Sequence, residues 1–312
     1  MSYQAAIDPN RSPSRCPPGV EMVIVPRSAD VGGFAVRRVL PSRHKRMVGP
    51  FVFWDQMGPG ELVSGQGMDV LPHPHIGLST VTYLFDGAIT HRDSIGTEQE
   101  ITPGAMNLMT AGRGVAHSER SPLSIREQGG RYFGIQSWLA LPAADEEMAP
   151  TFAHHSKAAL PRADWDGVDL RVIMGSFGGL SSPVISPHDA LYVDVLLQPG
   201  ARLNVPPEAE ERALYPLEGR VAIANQVYEP MQLLVLAPGA AVDVHAVDRV
   251  RLSLLGGAVM DGPRYIWWNF VSSSRERIEA AQQDWKAQRF AHIPGESDAF
   301  VPLPDYPLPK LR

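Results

Sequence analysis

Two pairs of potential metal ligands, each spaced at i and i+2, constrain this sequence more than any other feature. His73 and His75 form the first pair, and His117 and Glu119 form the second. Side chains alternate between the two faces of a β-strand, so a strand directs both members of each pair to the same side. The residues between the pairs contain turn signals for one or two hairpins, which can return the second strand beside the first. The sequence therefore predicts three imidazoles and one carboxylate facing one cavity, as a mononuclear metal site.

The alternative interpretation of these four side chains is an internal hydrogen-bonded network. We favour a metal, because several imidazoles and a carboxylate are expensive to bury without an ion. With no thiolate, a closed structural zinc site is less natural. Three histidines and one carboxylate leave coordination positions open, as in non-haem Fe(II) oxygenases, so Fe(II) is expected, while Mn, Ni, Cu and Zn stay open on ligand type. A structural role is expected for the isolated His154, His155, His188 and His292.

Glycine and proline predict the fold class. The chain has 312 residues with 28 glycines and 29 prolines, and these separate short apolar segments, which favours an all-β architecture. One helix is expected late in the chain. Residues 273–276 (SSRE) have the spacing of a capping box, and Ile278, Ala281 and Trp285 form an apolar stripe.

The predicted organisation has four parts. Residues 1–20 are expected to form a flexible arm, 21–145 a metal-binding β domain, 146–270 a second β domain without a metal site, and 271–312 the helix and an extended proline-rich tail. The acidic residues 145–147 (DEE) are predicted to be a solvated linker between the two domains.

A faint internal repeat supports two similar domains. Residues 83–87 (YLFDG) match residues 215–219 (YPLEG). In that register, Val205 and Pro207 stand where the first domain has its histidine pair, and His245 alone cannot form a site.

Charge and cysteine content exclude several functional classes. The net charge is −6, so direct contact with nucleic acid is disfavoured. Cys16 is the single cysteine, which excludes an intrachain disulfide, and no segment has the length of a transmembrane helix. These features predict a cytoplasmic protein.

Three other motifs receive structural interpretations. Gly112 and Gly114 are expected in a turn between strands rather than in a phosphate loop. Residues 91–93 (HRD) are assigned to an exposed hairpin strand, with the mouth of the cavity as the alternative. Residues 267–270 (WWNF) are assigned to core or inter-domain packing rather than to a ligand platform.

Beyond these arguments, five segments carry a family resemblance: residues 73–77 (HPHIG), 80–87 (TVTYLFDG), 91–96 (HRDSIG), 109–119 (MTAGRGVAHSE) and 136–142 (QSWLALP). In these segments the sequence resembles the pirin family, a family of bicupin proteins in the cupin superfamily. The resemblance is strong over residues 30–145 and looser beyond.

The resemblance implies two antiparallel β-barrel (cupin, or jelly-roll) domains in tandem, with metal only in the N-terminal one. It maps the iron ligands onto His73, His75, His117 and Glu119. Ordinary cupins place a glutamate ligand four residues after the His-x-His pair, where this chain has Ser79, so the carboxylate is expected from Glu119 as in pirins.

Two functions follow from the resemblance. The first is an Fe(II)-dependent, quercetin 2,3-dioxygenase-like enzyme that opens a flavonol or similar enolic ring with O2. Glu119 would then be the catalytic base, and Phe51, Phe53 and Phe133 would form the apolar pocket wall. The second is an iron-containing regulatory or redox-sensing protein that acts through protein partners without turnover. A wide, accessible, apolar cavity would favour catalysis, and a plugged one would favour regulation.

Overall fold

A computed structural model of the chain describes residues 18–31, 34–296 and 299–306. Strands account for 52% of the structure, which confirms that the protein is mostly β. Among the described residues, no helix has both the length and the apolar character needed to cross a membrane. Cys16, most of the predicted N-terminal arm and the last six residues of the tail lie outside the described part.

The strands of the first half of the chain are β1 (Val20–Ile24), β2 (Arg27–Val31), β3 (Phe34–Leu40), β4 (Phe51–Leu62), β5 (Asp69–His75), β6 (Leu78–Asp86), β7 (Ile89–Asp93), β8 (Glu98–Ile101), β9 (Met106–Thr110), β10 (Val115–Arg120), β11 (Gly130–Ala140) and β12 (Thr151–His155). A short helix, α1 (Leu123–Gln128), precedes β11, and a 3₁₀ turn (Ala143–Asp145) precedes β12.

The strands of the second half are β13 (Arg162–Trp165), β14 (Val168–Met174), β15 (Ser176–Phe177), β16 (Leu180–Ser181), β17 (Ala190–Leu197), β18 (Arg202–Val205), β19 (Glu211–Glu218), β20 (Val221–Ile223), β21 (Gln226–Tyr228), β22 (Leu233–Leu236), β23 (Val242–Ala246), β24 (Val250–Gly257), β25 (Tyr265–Trp267) and β26 (Phe270–Ser272). Helix α2 (Arg275–Lys286) follows them.

Each half pairs a seven-stranded sheet with a four-stranded sheet. In the N-terminal half the orders are β12-β9-β6-β11-β4-β3-β2 and β5-β10-β7-β8. In the C-terminal half they are β1-β22-β19-β24-β17-β14-β13 and β18-β23-β20-β21. The described strands leave every sheet open, so the closure into barrels that the resemblance implied is not confirmed.

The two large sheets pack against each other and form one apolar core between the halves. The ring centroids of Trp54 and Tyr192 lie 5.2 Å apart, and those of Tyr83 and Tyr192 lie 5.9 Å apart, each pair edge to face. The hydroxyl of Tyr215 donates a hydrogen bond of 2.8 Å to the amide oxygen of Gln56 across the same interface. The repeated tyrosines, Tyr83 on β6 and Tyr215 on β19, thus occupy matching strands, and both are part of the core at the interface.

Strand pairing crosses the domain limits that the sequence suggested. β1, at the start of the predicted first domain, pairs with β22 in the C-terminal sheet. β12 follows residue 145, yet it pairs with β9 in the N-terminal sheet. Each half therefore completes the edge of the other half's large sheet, an exchange that local strand patterns cannot reveal.

The predicted C-terminal helix is confirmed as α2. Its N-cap is Ser274, one residue later than the capping-box spacing of residues 273–276 indicated, and the Ser274 hydroxyl accepts a hydrogen bond of 3.2 Å from the backbone N–H of Arg277. The apolar stripe of Ile278, Ala281 and Trp285 is buried, in a cluster that includes Ile76 of the N-terminal half. The helix therefore covers the segment that contains the first histidine pair.

Gly112 lies in the tight turn between β9 and β10, as predicted. Its φ of 51° is left-handed, and a Cβ atom there would stand 2.1 Å from the carbonyl oxygen of Met148. Because only glycine fits so close an approach, the turn that feeds the second ligand pair requires it.

The prediction that residues 145–147 form a solvated linker is wrong for Glu146. Only 6% of Glu146 is exposed. Its carboxylate lies 2.9 Å from the Arg264 guanidinium and accepts hydrogen bonds from the Ser272 hydroxyl at 2.8 Å and the Ser273 backbone N–H at 2.7 Å. The buried carboxylate of Glu146 thus anchors Ser272 and Ser273, which lead into α2.

We predict that Glu146→Gln will lower the free energy of unfolding by about 3 kcal/mol, because it removes the buried one of the two carboxylates that pair with Arg264, the other being the more exposed Asp261. Urea unfolding monitored by tryptophan fluorescence would measure the loss. Glu147→Gln is the matched control, since the Glu147 side chain is 61% exposed and makes only a surface ion pair with Arg277. Its cost is expected to be below about 1 kcal/mol. Equal losses in the two variants would contradict the structural role of Glu146.

Candidate metal centre

Strand β10 brings the two predicted ligand pairs together. It pairs with β5 on one side, where His117 stands opposite His73, and with β7 on the other, where Glu119 stands opposite His91. Because both pairs are spaced at i and i+2, each keeps its two side chains on one face of this small sheet. A bulge in the pairing of β5 with β10 lies between His117 and Glu119, opposite Leu71 and Pro72.

The three predicted histidine ligands form one buried cluster. His73, His75 and His117 are 7%, 1% and 0% exposed. Each offers a ring nitrogen, and these nitrogens all lie within 4.8 Å of one another. The Nε2 atoms of His75 and His117 are 3.0 Å apart. These distances bring three imidazole donors to one position inside the N-terminal half.

Glu119 lies beside this cluster and is not a member of it. Its carboxylate forms a second group, with His117 and His91, whose ligand atoms also lie within 4.8 Å of one another. A carboxylate oxygen of Glu119 is 3.4 Å from the hydroxyl of Thr82. His117 thus belongs to both groups, and the four predicted ligands meet around it.

Burial keeps the imidazoles uncharged. It lowers the pKa of His73 to about 4, and it lowers the pKa of His75 and His117 well below the ordinary value. Burial also raises the pKa of Glu119. Neutral imidazoles bind metals through a nitrogen lone pair, so near neutral pH the three histidines are in the protonation state that a metal requires.

Backbone carbonyls set the tautomers of the first pair. The Nδ1–H of His73 donates to the Leu71 oxygen at 2.8 Å, and the Nδ1–H of His75 donates to the Asn269 oxygen at 3.1 Å. The Nε2 atoms of both rings therefore carry lone pairs that face inward. Converging lone pairs repel one another unless a cation lies between them, so this donor set fits a divalent transition metal.

His91 and Asp93 were assigned to an exposed hairpin strand, and that prediction is wrong. They are 3% and 0% exposed. The Nε2 of His91 lies 2.9 Å from a carboxylate oxygen of Asp93, and its Nδ1 lies 3.2 Å from the Nδ1 of His117. The sequence signal for His91 and Asp93 was the same i, i+2 spacing as in the ligand pairs. Only the pairing of β7 with β10 shows that these two side chains face the site.

A cavity of about 450 Å³ leads to the histidines. Its wall includes Phe53 and Trp138, whose rings stack with centroids 3.9 Å apart. The Arg38 guanidinium lies 4.4 Å from the centroid of the Phe53 ring and forms two hydrogen bonds, of 2.9 and 2.8 Å, to Asp55. The exposed Tyr306 also lines the cavity, which therefore reaches the protein surface.

Of the three phenylalanines predicted for this wall, only Phe53 lies there. Phe51 and Phe133 pack in the core between the two halves. The register of β4 against β11 shifts between Phe53 and Phe51, so the two rings point to opposite faces in spite of their i, i+2 spacing. On β11, Phe133 alternates with the cavity-lining Gln136 and Trp138 and so faces the other way.

The interpretation of residues 267–270 as packing residues is right for three of the four. Trp267 and Phe270 are buried in the cluster under α2, and Trp268 packs against it. Trp268 and Asn269 also line the cavity, and Asn269 holds His75 through its carbonyl oxygen. This turn between β25 and β26 is remote in sequence from the ligands, so no local pattern indicated its role.

Comparison with known proteins agrees with this architecture. The family model for pirin matches residues 33–139, and the model for the pirin C-terminal cupin domain matches residues 192–291. A "Pirin-like protein" of Caulobacter vibrioides is 48% identical over 291 residues, covering 92% of this chain and 100% of the relative. The chain belongs to the pirin family.

Other pirin relatives carry names that suggest an activity. A Pseudomonas aeruginosa protein named "Putative quercetin 2,3-dioxygenase" is 36% identical over 84% of this chain and 82% of its own length. The crystal structure of a quercetin 2,3-dioxygenase from Acinetobacter baumannii superposes with a TM-score of 0.86 at 33% identity, covering 93% of this chain and 97% of that one. The resemblance stated from the sequence motifs is thereby confirmed.

We predict that divalent metal will stabilise this pirin through His75. At a free metal concentration 100 times the Kd, the free energy of unfolding is expected to rise by about 2.7 kcal/mol. Thermal unfolding with and without Ni(II) or Mn(II) would measure the change. His75→Ala is expected to abolish it. His154→Ala should keep it, since His154 bonds Asn107 on β9, outside the cluster. Full stabilisation of His75→Ala would exclude the histidine cluster as the binding site.

Proposed function

We propose that this pirin is a metal-dependent dioxygenase that opens a flavonol or a similar enolic aromatic ring with O2. His73, His75, His117 and Glu119 are the proposed ligands, and Fe(II) is the proposed metal. The observation that carries the proposal is the meeting of three buried, uncharged imidazoles at the end of an aromatic-walled cavity that reaches the surface. Catalytic pockets for small molecules have this combination of apolar walls and a few convergent polar groups.

The size and lining of the cavity favour a flat aromatic substrate. Its volume of about 450 Å³ lies within the usual range for small-molecule sites, about 300–1,000 Å³. The stacked rings of Phe53 and Trp138 offer an apolar surface beside His75, whose ring centroid is 5.2 Å from that of Trp138. A planar substrate lying along this wall would present one edge to the histidines.

A divalent metal held there would supply Lewis-acid activation of the substrate's hydroxyl oxygen and a place for O2. Residues of the chain would remove the proton and orient the substrate. The carboxylate of Glu119, a proposed ligand that lies at the edge of the histidine cluster, would also take the proton from that hydroxyl. Phe53 and Trp138 would fix the orientation of the ring, which converts a bimolecular encounter into an oriented one.

The accessible cavity supports catalysis over the regulatory alternative, in which the metal would be sealed from substrate. The names of the Pseudomonas and Acinetobacter relatives point to the same substrate class. Ligand type alone leaves Mn, Ni, Cu and Zn as alternatives to Fe(II), and an Escherichia coli pirin of the same fold, with a TM-score of 0.60 and 18% identity, was solved in complex with nickel(II).

We predict O2 uptake by the reconstituted protein in the presence of quercetin. The protein would be loaded anaerobically with each metal in turn, and uptake would be followed with an oxygen electrode while product is identified by mass spectrometry. Glu119→Gln is expected to lower kcat by about 100-fold or more, because it removes the proposed base. Metal content measured for each variant separates loss of the base from loss of the ion.

The outcome that would overturn this proposal is specific. If the wild-type protein binds metal stoichiometrically but neither consumes O2 nor forms product, and Glu119→Gln behaves identically, the dioxygenase proposal fails. The regulatory function would then be tested by partner capture.

We also predict that filling the cavity will exclude the substrate without removing the metal. Val36 lines the cavity from β3, a strand of the large sheet, whereas the proposed ligands lie on β5 and β10 of the small sheet. Val36→Phe is expected to lower kcat/KM for quercetin at least tenfold, roughly 1.4 kcal/mol or more, with unchanged metal content. The matched control is Val227→Phe, the same change at a position that is 43% exposed in the C-terminal half. Unchanged kcat/KM in Val36→Phe would place the substrate elsewhere.

A further inference from the structure

A chain of buried side chains leads away from the histidine cluster. The Nδ1 of His117 lies 3.2 Å from the Nδ1 of His91, and the Nε2 of His91 lies 2.9 Å from Oδ2 of Asp93. All three residues are at most 3% exposed. A hydrogen bond between two facing ring nitrogens needs a proton on one and a lone pair on the other. The position of each proton along this chain therefore depends on its neighbours.

Asp93 determines which atom donates in each hydrogen bond of this series of side chains. Its Oδ1 accepts hydrogen bonds from the backbone N–H groups of Ile95, at 3.1 Å, and Thr97, at 2.9 Å. Burial opposes ionisation, but the hydrogen bonds from His91 and from the Thr97 backbone lower the pKa of the Asp93 carboxyl below its ordinary value. An ionised carboxylate only accepts, so the Nε2 of His91 must be the donor.

The proton on His117 follows from this. A His91 ring that carries one proton, held on Nε2 by Asp93, has a lone pair on Nδ1, which can only accept the Nδ1–H of His117. His117 then carries its own lone pair on Nε2, the atom that lies 3.0 Å from the Nε2 of His75. Both ring nitrogens of His91 are used in these bonds, which leaves none for a metal.

We propose that Asp93 and His91 are positioning residues that fix the tautomer of His117 and thereby present its Nε2 lone pair to the metal. The inference rests on the metal site of the proposed function, but it does not rest on turnover. Backbone carbonyls perform the same task for His73 and His75. His117 is the one of these three imidazoles that depends on side chains, so its tautomer can be changed by mutation.

Asp93→Asn tests the proposal with almost no change of shape. Two backbone N–H groups hold Oδ1, so the side-chain NH2 of Asn must face His91 and donate to its Nε2. His91 would then carry its proton on Nδ1, and His117 would be left with its proton on Nε2, the metal-facing nitrogen. We expect a loss of metal affinity of 10- to 100-fold, the usual effect of losing such a partner.

Two measurements are needed. Long-range ¹H–¹⁵N correlation spectra of the metal-free protein report which nitrogen of His117 is protonated, and isothermal titration with Ni(II) reports affinity and stoichiometry. We expect Nδ1–H in the wild type and Nε2–H in Asp93→Asn. His91→Phe keeps the ring that stacks on Phe152 at 4.7 Å but removes both nitrogens, and should also lose affinity. His91→Gln retains an acceptor and a donor and should recover most of it, and His154→Phe is the control outside the site.

The outcomes are separable from those of the proposed function. An unchanged His117 tautomer in Asp93→Asn, an affinity within twofold of wild type, or two Ni(II) ions per chain with His91 as a ligand would each overturn the positioning role. If the tautomer reverses as expected while the metal-loaded wild type shows no O2 uptake, the positioning role holds and the dioxygenase proposal fails.

Discussion

The pairing of β10 between β5 and β7 is the constraint on which the site depends. An antiparallel ladder fixes which residues stand opposite each other, and the two-residue period of a strand fixes which face they share. Here His117 meets His73 on one side, while Glu119 meets His91 on the other. A slip of one residue in the pairing with β5 would turn one ligand pair toward the opposite face, and a slip in the pairing with β7 would turn His91 away from His117. The hydrogen bonds of three short strands therefore determine the geometry of the site.

These short strands are held in place by the rest of the chain. The turn between β25 and β26 supplies the carbonyl oxygen of Asn269 to His75, and Glu146 anchors the segment that leads into α2. On the other side, the aromatic core between the two large sheets supports β6 and β11, which carry Thr82, Gln136 and Trp138. The site is therefore a product of the whole two-part fold, although its proposed ligands lie within fifty residues of one another.

The sequence predicted what depends on local periodicity. Strand alternation grouped the two ligand pairs, and the apolar stripe located α2. Prediction from the sequence failed where contacts with distant chain segments, or small irregularities in a strand, determine the position of a side chain. The bulge at Phe53 sends Phe51 to the interface, the partner strand of β7 buries His91, and Arg264, more than a hundred residues away, buries Glu146. The exchange of β1 and β12 between the sheets is likewise a long-range pairing without a local signal.

Comparison of the two halves indicates that the ligand residues, rather than the strand order, distinguish the half with the proposed site. Its four-stranded sheet repeats the order of the first, with β18, β23, β20 and β21 in place of β5, β10, β7 and β8. Leu203, Val205, Val242 and Val244 face inward there and pack into one apolar cluster. His245 alternates with the buried Val244 and Ala246, so it points away from that interior. Apolar side chains on β18 and β23 give a close-packed core, whereas imidazoles on the corresponding strands of the first half, β5 and β10, face a cavity. The same strand order therefore encloses an apolar core in the C-terminal half and the proposed metal site in the N-terminal half.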